Sequence, residues 1–304
     1  MRYAFIKSLL HEAEKNDRIM LLTGDLGFTV FEEFRERYPR QFLNVGVAEQ
    51  NLMGIATGLA LSGKIVFAYS IATFATMRPL EQIRLDIASH NAPIIIVGTG
   101  AGFSYGHASI SHHAMEDIAL MRVIPGMTVI CPADPTEASW ATRQAIKINR
   151  PVYLRLGMKG EPNLYESHTK LTIGKGSILR KGKGVALIAT GNIVGNTLQA
   201  ATLLAHEHIN PTVVSMHTIK PLDATLITSI IDTHKTIITI EEHSVIGGLG
   251  SAVAEIIAEQ QSSPKFRRLG IPDRFMSKIG SQQYLRDLVG LSPKKIAAAV
   301  KKLI

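Results

Sequence analysis

Glu49 has the setting of a working carboxyl. It lies in the run Asn44-Val45-Gly46-Val47-Ala48-Glu49-Gln50-Asn51, where a strand ends, a Gly turn follows and an almost wholly apolar helix begins. A carboxyl taken into a dry pocket there can exchange protons as a general acid or base. The same Glu can also be a plain negative charge favourable to the helix dipole, and the residues alone leave both readings open. His112 is the second candidate, since an imidazole titrates near neutrality. It follows a glycine-containing loop, residues 98–106, and precedes an apolar helix. His107 and His113 stand close to it, but no Cys or carboxylate completes a ligand set, so a metal site is not supported. Phe67, Tyr69 and Phe74 offer aromatic faces on which a planar ring could stack, although aromatics in such strands more often pack a core. Gly247-Gly248-Leu249-Gly250 follows a strand and could cradle an anion at a helix start.

The elements that must position these residues alternate in type. Residues 3–16 form an amphipathic helix pattern and 18–22 a short apolar strand. Helix 48–61, strand 65–69, a helix near 78–89 and strand 93–97 follow, then strand 127–130, helix 135–148 and strand 152–156. Short β-branched apolar runs between helices predict an α/β fold with a mostly parallel, covered sheet. From Gly157 to about Lys183 the chain turns rich in Gly, Pro, Lys and Ser and loses helical periodicity, predicting a linker with an opening strand. The alternation then restarts with 185–189, 196–207, 211–215, 223–234, 236–240 and 250–259, closing with helix 293–303. The expected division is residues 1–165, a linker and opening strand at 166–183, and a second α/β domain at 184–304. Gly54 and Gly58, one turn apart, predict close packing of another helix on helix 48–61.

Composition narrows the function classes. The chain has 304 residues, 46% hydrophobic and 19% charged, which suits two globular domains. It carries no apolar run of about 20 residues, and its N-terminus turns acidic and amphipathic without the pattern of a signal peptide. Cys131 is the single cysteine, so no internal disulfide forms, and a cytoplasmic location is expected. The net charge of +8 is spread out apart from Arg180-Lys181-Gly182-Lys183 and the C-terminal tail, and no nucleic-acid motif accompanies it. A basic surface of this kind can gather a phosphorylated ligand or an acidic partner.

In order and spacing, several segments together resemble the transketolase family. Gly46–Gln50 is similar to its G-[IV]-x-E-[QH] signature, Thr23-Gly24-Asp25-Leu26 to its SADL segment, and Tyr69-Ser70 with Thr73-Phe74 to its Y-S-T-F turn. Ser111-His112 stands where the family has Thr-His, and 124–127 through 131–134 resemble its I-P-x-[ML]…P-[AS]-D strand. Residues 218–223 and 241–250 resemble its C-terminal domain. The resemblance implies a pyrimidine-binding domain followed by a transketolase C-terminal domain. It also implies thiamine diphosphate as cofactor. That cofactor reacts through its thiazolium C2 carbanion, and its 4′-amino group removes the C2 proton as the imino tautomer, which requires proton exchange at N1′. By resemblance Glu49 serves N1′, Asp25 and Phe74 belong to the cofactor site, and His112 faces the substrate.

What the resemblance lacks is equally informative. The family's G-D-G…N motif for the diphosphate and Mg²⁺ is absent, so those ligands are expected on a separate N-terminal subunit, in an assembly of two plus two chains. Transketolases grip a sugar phosphate with two Arg and a His and read a donor hydroxyl with an Asp. Arg2 keeps one Arg position, and Thr29 stands where the family has a Ser. The family His and Asp fall at Gly100 and Ala108, with His107 the stand-in if the loop alignment slips. The second Arg falls at Met158, with Lys159 adjacent but offering a point charge where Arg offers a planar fork. The expected activity is transfer of a two-carbon ketol unit from a ketose or ketose phosphate to an aldose, with an altered donor or acceptor. A 2-oxo acid dehydrogenase beta subunit and a deoxyxylulose-phosphate-synthase-like enzyme are the alternatives. A non-catalytic Rossmann-type module is disfavoured, because no strand-linked G-x-G-x-x-G opens either domain.

Overall fold

The structure is a computed structural model that describes residues 1–165, 170–260 and 264–304. Its strands, in chain order, are β1 (Ile19–Thr23), β2 (Phe42–Asn44), β3 (Ile65–Ile71), β4 (Ile94–Thr99), β5 (Thr128–Ile130) and β6 (Val152–Leu156). They continue with β7 (Ser177–Arg180), β8 (Gly184–Thr190), β9 (Thr212–Ser215), β10 (Thr218–Lys220), β11 (His234–Ser244) and β12 (Lys265–Ile271). They form a seven-stranded sheet, ordered β10-β5-β6-β4-β3-β1-β2, and a five-stranded sheet, ordered β12-β11-β8-β9-β7. Both are parallel except at one edge each, where β10 runs against β5 and β7 against β9.

The apolar runs become strands because helices cover both faces of the first sheet. Strands β1, β3, β4 and β6 are buried along their whole length. Helix Glu49–Leu61 sends Leu52, Met53 and Ala56 onto one face, and helices Arg2–Ala13 and Pro135–Ile148 close the other with Phe5, Leu9 and Ala141. The two domains share apolar packing: Met216, Ile219 and Ile227 of the second lie in the same cluster as Val129 and Met127 of the first.

Three differences from the sequence-based expectation bear on the site. The helix expected near residues 78–89 is broken. Arg78 instead caps the short helix Ala72–Met77, and after Pro79 the chain passes through Leu80–Gln82 into a wider π-type turn, Ile83–Ala88. Residues 218–220, read as a motif, are strand β10, donated by the second domain to the first domain's sheet. Strand β12 and the helix Gln282–Leu288 are additional elements. Of the span 166–183, residues 166–169 lie outside the described residues, and Ser177–Arg180 forms β7.

Candidate active site

The register of the first sheet brings strand ends to one edge: Thr23 pairs with Asn44 and Tyr69, and Thr99 with Ile71 and Leu156. Open parallel sheets hold ligands outside the carboxyl ends of their strands. Asp25, Glu49, Phe74, the loop carrying His112, and Lys159 all follow such ends.

Glu49 opens its helix after a turn fixed by Asn44. The Asn44 carboxamide oxygen accepts from Asp25 N at 2.8 Å and Gly46 N at 3.1 Å, while its nitrogen donates to Asp25 Oδ1 at 3.1 Å. Gly46 takes φ +76° here, in the left-handed region that favours glycine. Asp25, itself at φ 58°, is exposed and serves this turn. The Glu49 side chain is only 3% exposed and does not cap its own helix. Its Oε2 accepts from Arg78 Nη1 at 2.7 Å, and its Oε1 lies 3.4 Å from the donating Ser70 Oγ. Its role is thus not exhausted by the helix dipole.

Phe74 follows β3 on helix Ala72–Met77 and is half-buried. Phe67 and Tyr69 instead point into the core, with Phe5 centroids 5.9 and 6.1 Å away and Phe31 4.7 Å from Tyr69. The Phe74 ring meets His112 edge-on at 5.0 Å, and the Arg78 guanidinium lies 3.8 Å from its centroid. Arg78 was missed at the level of sequence. The signal available was its i, i+4 spacing from Phe74, which places the two on one helix face.

His112 is held by its neighbours. Ser111 Oγ sits 2.9 Å from its Nδ1, and Thr73 Oγ1 donates to Ser111 O at 3.0 Å, tying the loop to the Phe74 helix. Desolvation, then the nearby His107 and Arg78, lower its pKa, so it is a neutral imidazole near pH 7. Tyr105 lies between His107 and His112, with centroids 6.3 and 5.9 Å away. His113, by contrast, is buried against Phe103 at 5.1 Å, and burial lowers its pKa. The loop is anchored across the domain interface, where Phe103 N donates to Glu242 Oε1 at 2.7 Å. Gly102, at φ +59°, packs against Glu242, where a Cβ would come within 2.5 Å of its Cγ. Glu242 is itself held by Arg286 Nε at 2.8 Å.

Beneath the loop lies the buried pair Asp117–Arg155, bonded at 2.7 and 3.1 Å, with Tyr153 donating to Asp117 at 2.5 Å. Arg155 also donates to Ala114 O at 2.8 Å and, across the interface, to Glu242 O at 3.1 Å.

The expected substrate residues are placed less tightly. Arg2 is half-buried, and its Nε donates to Met158 O at 3.2 Å, which brings it beside exposed Lys159. Thr29 is exposed at φ 65°, and its N–H donates to Glu32 at 2.7 Å. It lines a groove with Tyr3 and Lys7, close to the start of the helix that carries Arg2.

Comparison with known proteins identifies both domains. Residues 1–159 match the transketolase pyrimidine binding domain, and residues 174–296 match the transketolase C-terminal domain. The 6-deoxy-6-sulfo-D-fructose transketolase subunit SqwH of Clostridium sp. (strain MSTE9) is 36% identical over 304 residues, covering 100% of this chain and 94% of that protein. An apulose-4-phosphate transketolase subunit of Phocaeicola vulgatus is 35% identical over 274 residues, covering 90% of this chain and 87% of that protein. A solved split gene transketolase, described as an inactive beta4 tetramer, superposes with a TM-score of 0.89 at 38% identity, covering 99% of this chain and 97% of that one. With both domain families matched in order and relatives aligned over most of their length, the chain belongs to the transketolase family.

Proposed function

We propose that this chain is the C-terminal, pyrimidine-binding subunit of a thiamine-diphosphate-dependent transketolase-like enzyme, moving a two-carbon ketol unit from a ketose or ketose phosphate to an aldose. The observation that carries this reading is the buried Glu49 carboxyl facing a planar cation that lies over the Phe74 ring. Arg78 fills that space with a flat group, the shape an aminopyrimidine ring presents, and a carboxyl there is the group N1′ needs for proton exchange, so the residues present fit the pyrimidine half of the cofactor. The diphosphate and Mg²⁺ ligands belong, in this reading, to an N-terminal partner subunit in a two-plus-two assembly. A cytoplasmic location is part of the same reading; among the described residues no helix is long and apolar enough to cross a membrane.

When bound, thiamine diphosphate supplies the nucleophilic carbon that carries the two-carbon unit. Glu49 holds and exchanges the proton at N1′, and Asp25 stiffens the turn before it. Phe74 offers its face to the pyrimidine ring. His112, neutral and oriented by Ser111, donates to a substrate hydroxyl or carbonyl oxygen. Arg2 and Lys159 supply positive charge for a phosphate, with Thr29 an exposed hydroxyl near the same end.

The relatives' names support a specialised substrate: one acts on a sulfonated deoxyfructose and another on apulose 4-phosphate. The departures at Gly100, Ala108 and Met158 fit such a change. Xylulose 5-phosphate and ribose 5-phosphate should therefore react poorly in the assembled complex, and ordinary transketolase efficiency on that pair would reject the altered choice.

Glu49→Gln in the complex with the N-terminal partner tests the core of the proposal. Turnover should fall roughly 10²–10⁴-fold, the scale of a lost acid–base residue, while assembly persists. Near-normal turnover would remove Glu49 from its assigned role.

A further inference from the structure

We propose that Arg78 is a built-in stand-in for the aminopyrimidine ring, occupying Phe74 and Glu49 in the unloaded subunit and leaving both when thiamine diphosphate seats. The inference rests on the function proposed above. Both use the same contact: the Arg78 guanidinium, its carbon 3.8 Å from the Phe74 centroid, also donates to Glu49 Oε2 at 2.7 Å. One planar group thus satisfies at once the stacking face and the acceptor that the cofactor ring would use.

Three further features suit a removable occupant. The Arg78 side chain is 45% exposed, so it has an open path to solvent. Glu49 is its sole hydrogen-bond partner among the described residues. Its backbone lies at a joint, between helix Ala72–Met77 and Pro79, beyond which the helical winding changes. A permanent structural arginine would be expected to use more of its five donors, as Arg155 does.

The physical role is charge keeping. A buried carboxylate cannot be left bare without cost. While the pocket is unloaded, Arg78 balances Glu49 and covers an otherwise wet aromatic face. Seating the cofactor then puts a neutral ring where the cation was, with one proton taken up from solvent and shared between Glu49 and N1′ as Arg78 leaves, and apparent affinity is reduced by the fraction of time Arg78 occupies the pocket. A half-exposed ion pair and a cation–π contact are each modest, so removing them should tighten cofactor binding by roughly three- to tenfold.

The test is calorimetric titration of thiamine diphosphate, with Mg²⁺ present, into the complex of this chain with its N-terminal partner. Wild type, Arg78→Met and Arg78→Lys are compared. Arg78→Met keeps the apolar stem but can neither pair with Glu49 nor present a planar cation, and it should bind more tightly. Arg78→Lys can still reach Glu49 but cannot stack as a plane, and it should fall between the two. A crystal structure of the loaded wild-type complex should show Arg78 off the Phe74 ring. Unchanged or weaker binding by Arg78→Met would overturn the proposal, because Arg78 would then be a lasting support for Glu49 with the cofactor on its other oxygen. In that case wild-type binding leaves the proposed function standing. A wild-type complex that binds no thiamine diphosphate would overturn both.

Discussion

Stability of this chain should fall as pH rises from about 4.5 to about 7, and Glu137 should be a principal cause. Its carboxyl is fully buried at the start of helix Pro135–Ile148. It accepts from Ala133 N at 2.6 Å, from Ser215 Oγ at 2.9 Å and from the Tyr165 hydroxyl. Burial pushes its pKa from the ordinary 4.5 up to about 7, against the pull of those hydrogen bonds. The folded chain therefore holds this proton more tightly than the unfolded chain does. Between the two values the unfolded state binds fewer protons, so stability drops with rising pH. The contribution is complete below about pH 4.5 and lost above about pH 7. The gap from 4.5 to about 7, at about 1.4 kcal/mol per pH unit, amounts to about 3 kcal/mol. Urea denaturation of wild type and Glu137→Gln at a series of pH values isolates it. Gln cannot titrate, and it forfeits the bond from Ala133 N, a pH-independent loss of about 1 kcal/mol. The wild-type advantage over the variant should therefore shrink by about 2–3 kcal/mol across the range. A difference constant within about 0.5 kcal/mol would refute the argument, since Glu137 would then carry the same charge folded and unfolded.

Arg155→Met leaves Asp117 buried without its cation and severs a link to Glu242 O; denaturation should show a loss of about 3–5 kcal/mol, and a loss below about 1 kcal/mol would contradict the geometry. His112→Ala should lower kcat/KM roughly 10²-fold, the scale of a lost oxygen-stabilising donor, with the cofactor dissociation constant moving far less; a parallel loss of cofactor binding would make His112 a cofactor contact instead. This chain purified alone should show no thiamine-dependent turnover, and activity should appear on adding the N-terminal partner; robust activity of the single chain would contradict the division of the site.

The first sheet was legible because strands buried on both faces run largely apolar, as residues 65–68 and 94–97 do. Strand β12 was not, because Lys265–Ile271 is a partly exposed edge with Arg267 and Arg268 on it, and its pattern is that of a surface. Strand β10 has only three residues, and its pairing is fixed by a partner almost 90 residues earlier, which no local pattern reveals. In the site, Glu49, Phe74 and His112 were named from motifs, and the fold brings all three to one edge. Arg78 escaped notice because an Arg at the start of an expected helix reads as a solvated charge. Its meaning comes from the preceding helix, Ala72–Met77, whose winding continues through Arg78 and sets it one turn beyond Phe74. Likewise Glu242 and Gly102 acquire their roles only when two domains meet.

The loan of strand β10 from one domain to the other's sheet makes the linker a poor place to cut. Residues 1–165 taken alone would expose the edge of β5 and the apolar surface that Ile219 and Trp140's neighbour His217 now cover. An open β edge beside uncovered apolar surface invites pairing with another chain. The second half, for its part, would carry a strand with no ladder to join. The two domains are therefore one unit for purposes of recombination and truncation. Genetic rearrangement can place this pair beside different partners, but it cannot readily deal its halves out separately, and engineering of chimeras should move residues 1–304 as a block.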